Sequence, residues 1–186
     1  MIKFTECLND SWDYFFLGDP AKLSSFKSEN NLSDNLISEF TQNNSGDLIV
    51  EKGVLIPLSG IANFPYHIIF QINSDVSIFD DDQKNDLQFK RVGYFLEIVN
   101  RELYLMTIPY LTNWTDGIIR LESNIRPKVN LENGFYSVEI LGGETYHQES
   151  GWEPTIEFIL QKLKEEEVKL TAEDVNFKFQ IKSKEY

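Results

Sequence analysis

The chain has 186 residues, of which 41% are hydrophobic and 13% aromatic, and this is enough to fill one sizeable hydrophobic core. Length and composition exclude a disordered chain and predict a single globular domain over residues 1–186. The 30 acidic residues outnumber the 17 basic ones, which gives a net charge of -13. Such acidity argues against direct binding to nucleic acid or to an anionic membrane, because both require clustered Lys and Arg.

The sequence also indicates the cellular compartment of the protein. No apolar run reaches the roughly 18 residues of a membrane-spanning helix, and acidic residues interrupt the N-terminal segment where a signal peptide needs an apolar stretch. Cys7 is the single cysteine, so an internal disulfide is excluded. These features predict a cytoplasmic protein.

The first third of the chain gives mixed indications. Residues 10–30 hold an apolar cluster before a Gly18-Asp19-Pro20 turn, and the pattern favours neither helix nor strand there. A short helix is predicted over 34–43, with Ser33 as its N-cap and an apolar face formed by Leu36, Ile37 and Phe40.

Strands dominate the remainder. Alternating or continuous apolar residues predict strands over 48–58, 64–72, 89–99, 102–110, 117–122 and 175–182, and a further strand that Asn133-Gly134 opens and Gly142-Gly143 closes. Two residues separate 89–99 from 102–110, which predicts a hairpin. Trp114 is assigned to a loop, because Asn-Trp-Thr-Asp-Gly is turn-prone.

Residues 154–167 allow two interpretations. Ile156, Ile159, Leu160 and Leu163 follow a helical stripe after Pro154, so a helix is predicted, although three glutamates at its C-terminus are unfavourable. A strand over 155–160 is the alternative. The fold expected is α+β, with a mostly antiparallel β-sheet or sandwich and one or two helices packed on it.

Motifs for catalysis and metal binding are missing from the sequence. A zinc site needs three or four Cys/His-type ligands, whereas this chain has one cysteine and two histidines, His67 and His147, far apart in the sequence. The aspartates 80–82 and 86 lack the EF-hand pattern and indicate a solvated loop. No phosphate-binding or nucleophile motif occurs. We therefore expect no metal and no cofactor, and binding is favoured over catalysis.

Residues 129–161 contain neither lysine nor arginine. They hold six glutamates, at positions 132, 139, 144, 149, 153 and 157, interleaved with Phe135, Tyr136, Tyr146, His147, Trp152 and Phe158. Carboxylates steer and pair with basic groups, while rigid aromatic rings supply contact area at a low entropic cost. An anionic and aromatic surface of this kind suits a basic partner.

The sequence NGFYSVEILGG at 133–143, followed by GWEPTIEF at 151–158, is similar to stretches of small acidic bacterial immunity proteins of the polymorphic-toxin type. It resembles competence-associated nuclease inhibitors more loosely. Immunity proteins bind a cognate toxin, often a basic nuclease, and block its active site or substrate groove. The resemblance therefore implies an inhibitor of a cationic protein.

The leading hypothesis is an intracellular inhibitor that neutralises a cationic toxin or nuclease through an acidic, aromatic-containing surface. The residues predicted to contact the partner are Glu139, Glu144, Tyr146, His147, Glu149, Trp152 and Glu153. Glu132 and Glu157 are expected to be merely solvated. Two alternatives stay open: a β-rich module that binds a small ligand, and a hydrolase that pairs Glu144 with Glu149 or Glu153.

Overall fold

A computed structural model describes residues 1–7, 12–43, 45–74, 76–81, 84–123, 126–174 and 176–183. These residues form nine strands and five helices. In chain order they are β1 (Ile2–Cys7), β2 (Tyr14–Gly18), α1 (Pro20–Glu29), α2 (Leu36–Gln42), α3 (Ser45–Glu51), β3 (Leu55–Ser59), β4 (Pro65–Ile72), β5 (Asn85–Ile98), β6 (Glu102–Thr107), α4 (Ile108–Leu111), α5 (Trp114–Glu122), β7 (Lys128–Asn130), β8 (Gly134–His147) and β9 (Gly151–Leu163).

The strands form two sheets. The larger has the order β1-β4-β9-β8-β5 and the smaller has the order β3-β2-β6-β7. Every pairing is antiparallel except β4 with β9, which run parallel. The predicted α+β class and the mostly antiparallel sheets are confirmed, and five helices accompany the sheets.

One hydrophobic core joins the two sheets, and the ring of Phe15 on β2 meets the edge of Tyr66 on β4 at 5.9 Å. Along each strand, alternate residues enter this core, and we call the face of the larger sheet turned away from it the outer face. Helices α2 and α3 pack over Tyr14 and Phe16 on the opposite side of β2. Among the described residues, no helix is long and apolar enough to cross a membrane.

The prediction that Gly142-Gly143 ends a strand is wrong, because β8 continues through both glycines to His147. The glycines allow β5 to approach closely: a Cβ on Gly143 would lie 1.9 Å from the Asp86 carbonyl oxygen, and one on Gly142 would meet the ring of Phe89. The register of β5 against β8 shifts between Leu87 and Phe89, beside this pair. The glycines therefore accommodate a β-bulge rather than a turn.

The helix predicted over 154–167 is also wrong, and the alternative strand over 155–160 is confirmed within β9. This strand is central, pairing with β4 on one side and β8 on the other. Ile156 and Leu160 enter the main core, whereas Ile159 packs with Phe79 and Leu141 on the outer face. Because both faces of β9 are buried, its apolar residues do not alternate with polar ones, and their spacing matched that of a helix.

The hairpin predicted between 89–99 and 102–110 does not form, since β5 and β6 belong to different sheets. The chain crosses between the sheets at residues 99–101, where Arg101 adopts a positive φ of 60°. The buried carboxylate of Asp19 accepts hydrogen bonds from the backbone N–H groups of Val99 and Asn100 at 2.7 and 2.8 Å.

Two other predicted strands contain helices. Residues 117–122 lie in α5, which starts at the buried Trp114, so the loop assignment of this tryptophan is wrong as well. The N-cap Asn113 and the acidic first-turn residue Asp116 favour this helix. The segment 48–58 divides into α3 and β3. Within 10–30, the described residues form β2 and α1.

The strand predicted over 175–182 forms only an isolated bridge, between Ser59 and Lys178, and Val175 lies outside the described residues. Its apolar residues are nevertheless buried, because Phe179 and Ile181 enter the core beside β5. The strand over 64–72 and the helix over 34–43 are confirmed, although Asn35 caps α2 instead of Ser33.

Candidate functional site: the end of the β8–β9 hairpin

The β8–β9 hairpin divides the predicted contact residues between two faces of the larger sheet. Tyr146 lies opposite Trp152 across the hairpin, and Thr145 lies opposite Glu153. Because successive side chains point to opposite faces, the first pair lies on the core side and the second on the outer face. The seven predicted residues therefore do not form one patch.

An aromatic pair lies at the hairpin end. The rings of Tyr146 and Trp152 pack edge to face, with their centroids 5.7 Å apart. Tyr146 is 49% exposed and Trp152 is half-buried, while Glu149 at the hairpin tip is exposed. This pair combines solvent-accessible aromatic surface with a fixed mutual geometry.

The loop before β5 lies beside the aromatic pair, since the backbone N–H of Tyr146 donates to the carbonyl oxygen of Lys84 at 2.9 Å. Asp81 in this loop is exposed, and the Lys84 ammonium lies 3.7 Å from its carboxylate. Asp82, part of the predicted solvated loop, lies outside the described residues. Asp80 lies instead on the outer face near Glu139, and its carboxylate accepts a hydrogen bond from the Ser77 backbone N–H at 2.9 Å. We define the acidic end as the set Asp81, Tyr146, Glu149 and Trp152.

Two predicted contact residues lie away from the acidic end. Glu144 is fully buried on the core side, where its carboxylate accepts a hydrogen bond from the Ser183 hydroxyl at 3.0 Å. Glu139 lies on the outer face and pairs with Lys90 at 2.7 Å. At about 3.4 Å per residue, Glu139 is roughly 24 Å from Tyr146 along the strand. Neither side chain shares the exposed surface of the hairpin tip.

The remaining two predicted residues meet on the outer face with a histidine from another strand. Parallel pairing of β4 with β9 sets His67 opposite Thr155, and the His67 Nε2 atom hydrogen-bonds to the Glu153 carboxylate. The rings of His67 and His147 stack with centroids 4.4 Å apart and planes inclined by 19°. The two histidines, which are far apart in the sequence, are therefore neighbours in the fold.

Electrostatics at this cluster favour a neutral histidine beside an ionised carboxylate. Burial lowers the pKa of His147, and the neighbouring His67 and Lys3 lower it further, against the opposing influence of Glu153. A hydrogen bond from the Ser150 hydroxyl is the largest cause that lowers the pKa of Glu153. At neutral pH, His147 is therefore uncharged and Glu153 is an anion.

His67 is not among the predicted contact residues. Its position on the less apolar side of an alternating strand is visible in the sequence. Its proximity to His147 and Glu153 depends on the parallel pairing of β4 with β9, which local periodicity does not encode.

Glu157 has a structural role, and the expectation that it is solvated is wrong. Its carboxylate is fully buried and accepts hydrogen bonds from the Ser77 hydroxyl at 2.5 Å and the Ile78 backbone N–H at 3.1 Å. Glu132 is exposed and forms an ion pair with Lys162.

A separate cavity of about 270 Å³ lies between β2 and the helices α2 and α3. Its walls are mainly aromatic and aliphatic, and Asp47 is their ionisable residue. The lining residues are Trp12, Tyr14, Phe16, Ile37, Phe40, Thr41, Gly46, Asp47, Ile49, Val50, Pro57, Ile108 and Asn176.

Comparison with known proteins gives no relative: no family model, no curated protein and no solved structure matches the chain.

Proposed function

We propose that this protein is an intracellular inhibitor of the immunity-protein type, which neutralises a basic toxin or nuclease domain through the acidic end. One observation carries the proposal. The exposed Tyr146–Trp152 pair lies at the hairpin end with the exposed Glu149, and a segment distant in sequence meets it there, since the backbone N–H of Tyr146 donates to the carbonyl oxygen of Lys84.

The chemistry of the acidic end suits protein recognition. Tyrosine and tryptophan bury large areas and have few rotatable bonds, and they are common anchors at the centres of interfaces. The edge-to-face packing of Tyr146 and Trp152 orders both rings before a partner arrives. Exposed carboxylates around them accelerate association with a basic protein and repel nucleic acid, whose phosphates carry the same sign.

Two of the predicted contact residues are excluded because their carboxylates make contacts within the protein. Glu144 and Glu139 are engaged in internal contacts, so the partner is expected to contact Tyr146, Glu149 and Trp152, together with Asp81. Asp81 extends the hypothesis beyond the base-free segment of the sequence.

The proposal is tested by affinity capture from the source cells with two forms of the protein as bait. One form is wild type, and the other combines Tyr146→Ala, Glu149→Lys and Trp152→Ala. A matched control carries Glu29→Lys and Glu51→Lys, which change exposed acids on α1 and α3.

We expect the wild type and the control to retain one basic protein that the triple variant loses. Calorimetric titration of the purified partner should then show at least a 100-fold weaker affinity for the triple variant. Equal retention by all three baits would refute the acidic end as the contact surface.

The small-ligand alternative has its own support in the 270 Å³ cavity, which lies near the lower limit of typical ligand pockets. Calorimetric titration with benzoate and with indole tests it. Ligand binding that disappears in Ile37→Trp would favour this function. Heat signals unchanged by that substitution would exclude the cavity as the binding site.

The hydrolase alternative has less support. It requires Glu144 to share a cleft with Glu149 or Glu153, but Glu144 is buried on the core side, Glu149 is at the hairpin tip and Glu153 is on the outer face.

A further inference from the structure

A cluster of three metal-binding side chains lies on the outer face of the larger sheet. His67, His147 and Glu153 come from β4, β8 and β9, and one potential ligand atom of each lies within 4.8 Å of the others. All three side chains are half-buried. An ion bound there would reach solvent and could retain water in its remaining coordination positions.

We propose that His67, His147 and Glu153 bind a divalent transition-metal ion, with Zn²⁺ as the best match to the ligand set. Imidazole nitrogens favour zinc and its neighbours over Mg²⁺ and Ca²⁺, which prefer oxygen ligands. Two histidines and one glutamate, with one position left for water, suit tetrahedral zinc. This inference is independent of the proposed inhibitor function.

The spacing of the three groups requires a small adjustment on binding. Ligand atoms around a tetrahedral zinc ion are about 3.3 Å apart, given metal–ligand distances of about 2.0–2.1 Å. The stacked rings must therefore turn so that one nitrogen of each faces the ion. The terminal torsion of histidine is broad, so side-chain rotation achieves this while the strands keep their register.

Neighbouring hydroxyl groups orient His147. The Thr145 Oγ1 atom lies 2.9 Å from His147 Nε2 and 2.7 Å from the Thr155 Oγ1 atom. Hydrogen bonds of this kind fix the orientation and the tautomer of a metal-binding imidazole. With Nε2 bound to Thr145, the Nδ1 atom of His147 is left for the ion.

His67 faces the ion site through its Nε2 atom. This atom contacts the Glu153 carboxylate, so an ion held by both groups would lie between them and replace their direct contact. The two nitrogens of an imidazole point in nearly opposite directions, and the buried Nδ1 atom of His67, which has no hydrogen-bond partner among the described residues, is therefore not the atom that shares an ion with Glu153.

Lys3 on β1 lies opposite Ile69, two positions from His67 on β4, and its positive charge disfavours both protonation of His147 and a bound cation. Replacing it by Lys3→Gln should strengthen zinc binding about threefold. The same change would leave a site that does not involve these residues unaffected.

The wild-type protein itself provides the most direct test, because it contains only two histidines. After treatment with a chelator, the full chain is titrated with ZnCl₂ while the nitrogen NMR signals of the histidine rings are recorded. We expect both histidines to shift together and to saturate at one zinc per chain. A shift of one histidine alone, or of neither, would overturn the proposal.

Competition with a chromophoric chelator then measures the affinity of variants. Glu153→Gln should weaken zinc binding at least tenfold, whereas Glu139→Gln, which changes a carboxylate on the same face, should leave it within twofold of wild type. Circular dichroism without zinc verifies that each variant is folded. Equal effects of the two substitutions would contradict a defined His–His–Glu site.

Discussion

The Asp19 carboxylate accepts a hydrogen bond at 2.8 Å from the backbone N–H of Asn100, 81 positions later in the chain. The same carboxylate accepts from Val99 at 2.7 Å and from Ala21, in the first turn of α1, at 2.8 Å. One buried side chain thus caps a helix and fixes the crossover between the two sheets.

Replacement of Asp19 should therefore strongly destabilise the folded protein. Asp19→Ala leaves three backbone donors without their acceptor, and we expect a loss of about 3–5 kcal/mol in the free energy of unfolding. Asp19→Asn keeps one acceptor oxygen and should lose less. Urea denaturation measures both, and a loss below about 1 kcal/mol for Asp19→Ala would show that the crossover does not depend on this carboxylate.

The buried Glu157 depends on Ser77, whose hydroxyl donates to it and accepts from the Phe79 backbone N–H at 3.0 Å. Ser77→Ala should lower the free energy of unfolding by about 2–3 kcal/mol, because it removes the stronger partner of a buried charge. Ser25→Ala is the control, since Ser25 is exposed and its change should cost about 0.5 kcal/mol or less. Similar losses in the two variants would argue against this role of Ser77.

The paired glycines of β8 should differ in their tolerance of alanine. Gly143→Ala brings a Cβ against the Asp86 backbone, which is held in the sheet, and a loss of about 2–3 kcal/mol is expected. Gly142→Ala meets the Phe89 ring, which can move, so its loss should be smaller. Thermal denaturation ranks the two variants, and the reverse order would be inconsistent with the observed bulge.

The Asp34 carboxylate should make the free energy of unfolding depend on pH below about pH 4. The backbone N–H of Thr115, in the first turn of α5, is the largest cause that lowers the pKa of Asp34, and the Thr115 hydroxyl and Lys27 add to it. Because the pKa is lower in the folded state, the stabilisation is present above about pH 4 and is lost as pH falls through the folded pKa.

The test of this dependence is the variant Asp34→Asn. At pH 7 it should reduce the free energy of unfolding by less than about 1 kcal/mol, since the carboxylate is half-exposed. The difference from wild type should narrow below pH 4. A difference that stays constant from pH 7 to pH 3 would show that the charge of Asp34 contributes nothing.

Local patterns in the sequence correctly predicted those elements that are buried on only one face. The alternation of Tyr66, Ile68 and Phe70 against His67 and Gln71 corresponds to β4, with the first set in the core. The same reasoning failed for β9, because a central strand that is buried on both faces has no two-residue period. It also failed for 175–182: alternation predicted burial correctly, but it could not reveal that the described residues of this segment pair only through the Ser59–Lys178 bridge.

The candidate site was harder to predict than the fold class. The sequence identified Tyr146, Glu149 and Trp152 by composition, and all three lie at one hairpin end. Glu144 has the same chemistry but enters the interior, because the strand continues through the glycines and its pleat decides the face. The approach of His67 and of Lys84 to the hairpin depends on pairing between distant segments, which local patterns in a single sequence do not encode.

The central claim is that this protein neutralises a basic partner through the acidic end, and growth of cells that express the captured partner tests it most directly. Co-expression of wild type or of the Glu29→Lys, Glu51→Lys control should restore growth. The triple variant Tyr146→Ala, Glu149→Lys, Trp152→Ala should leave growth inhibited at equal protein levels. Full rescue by the triple variant, or inhibition that persists with wild type, would contradict the claim.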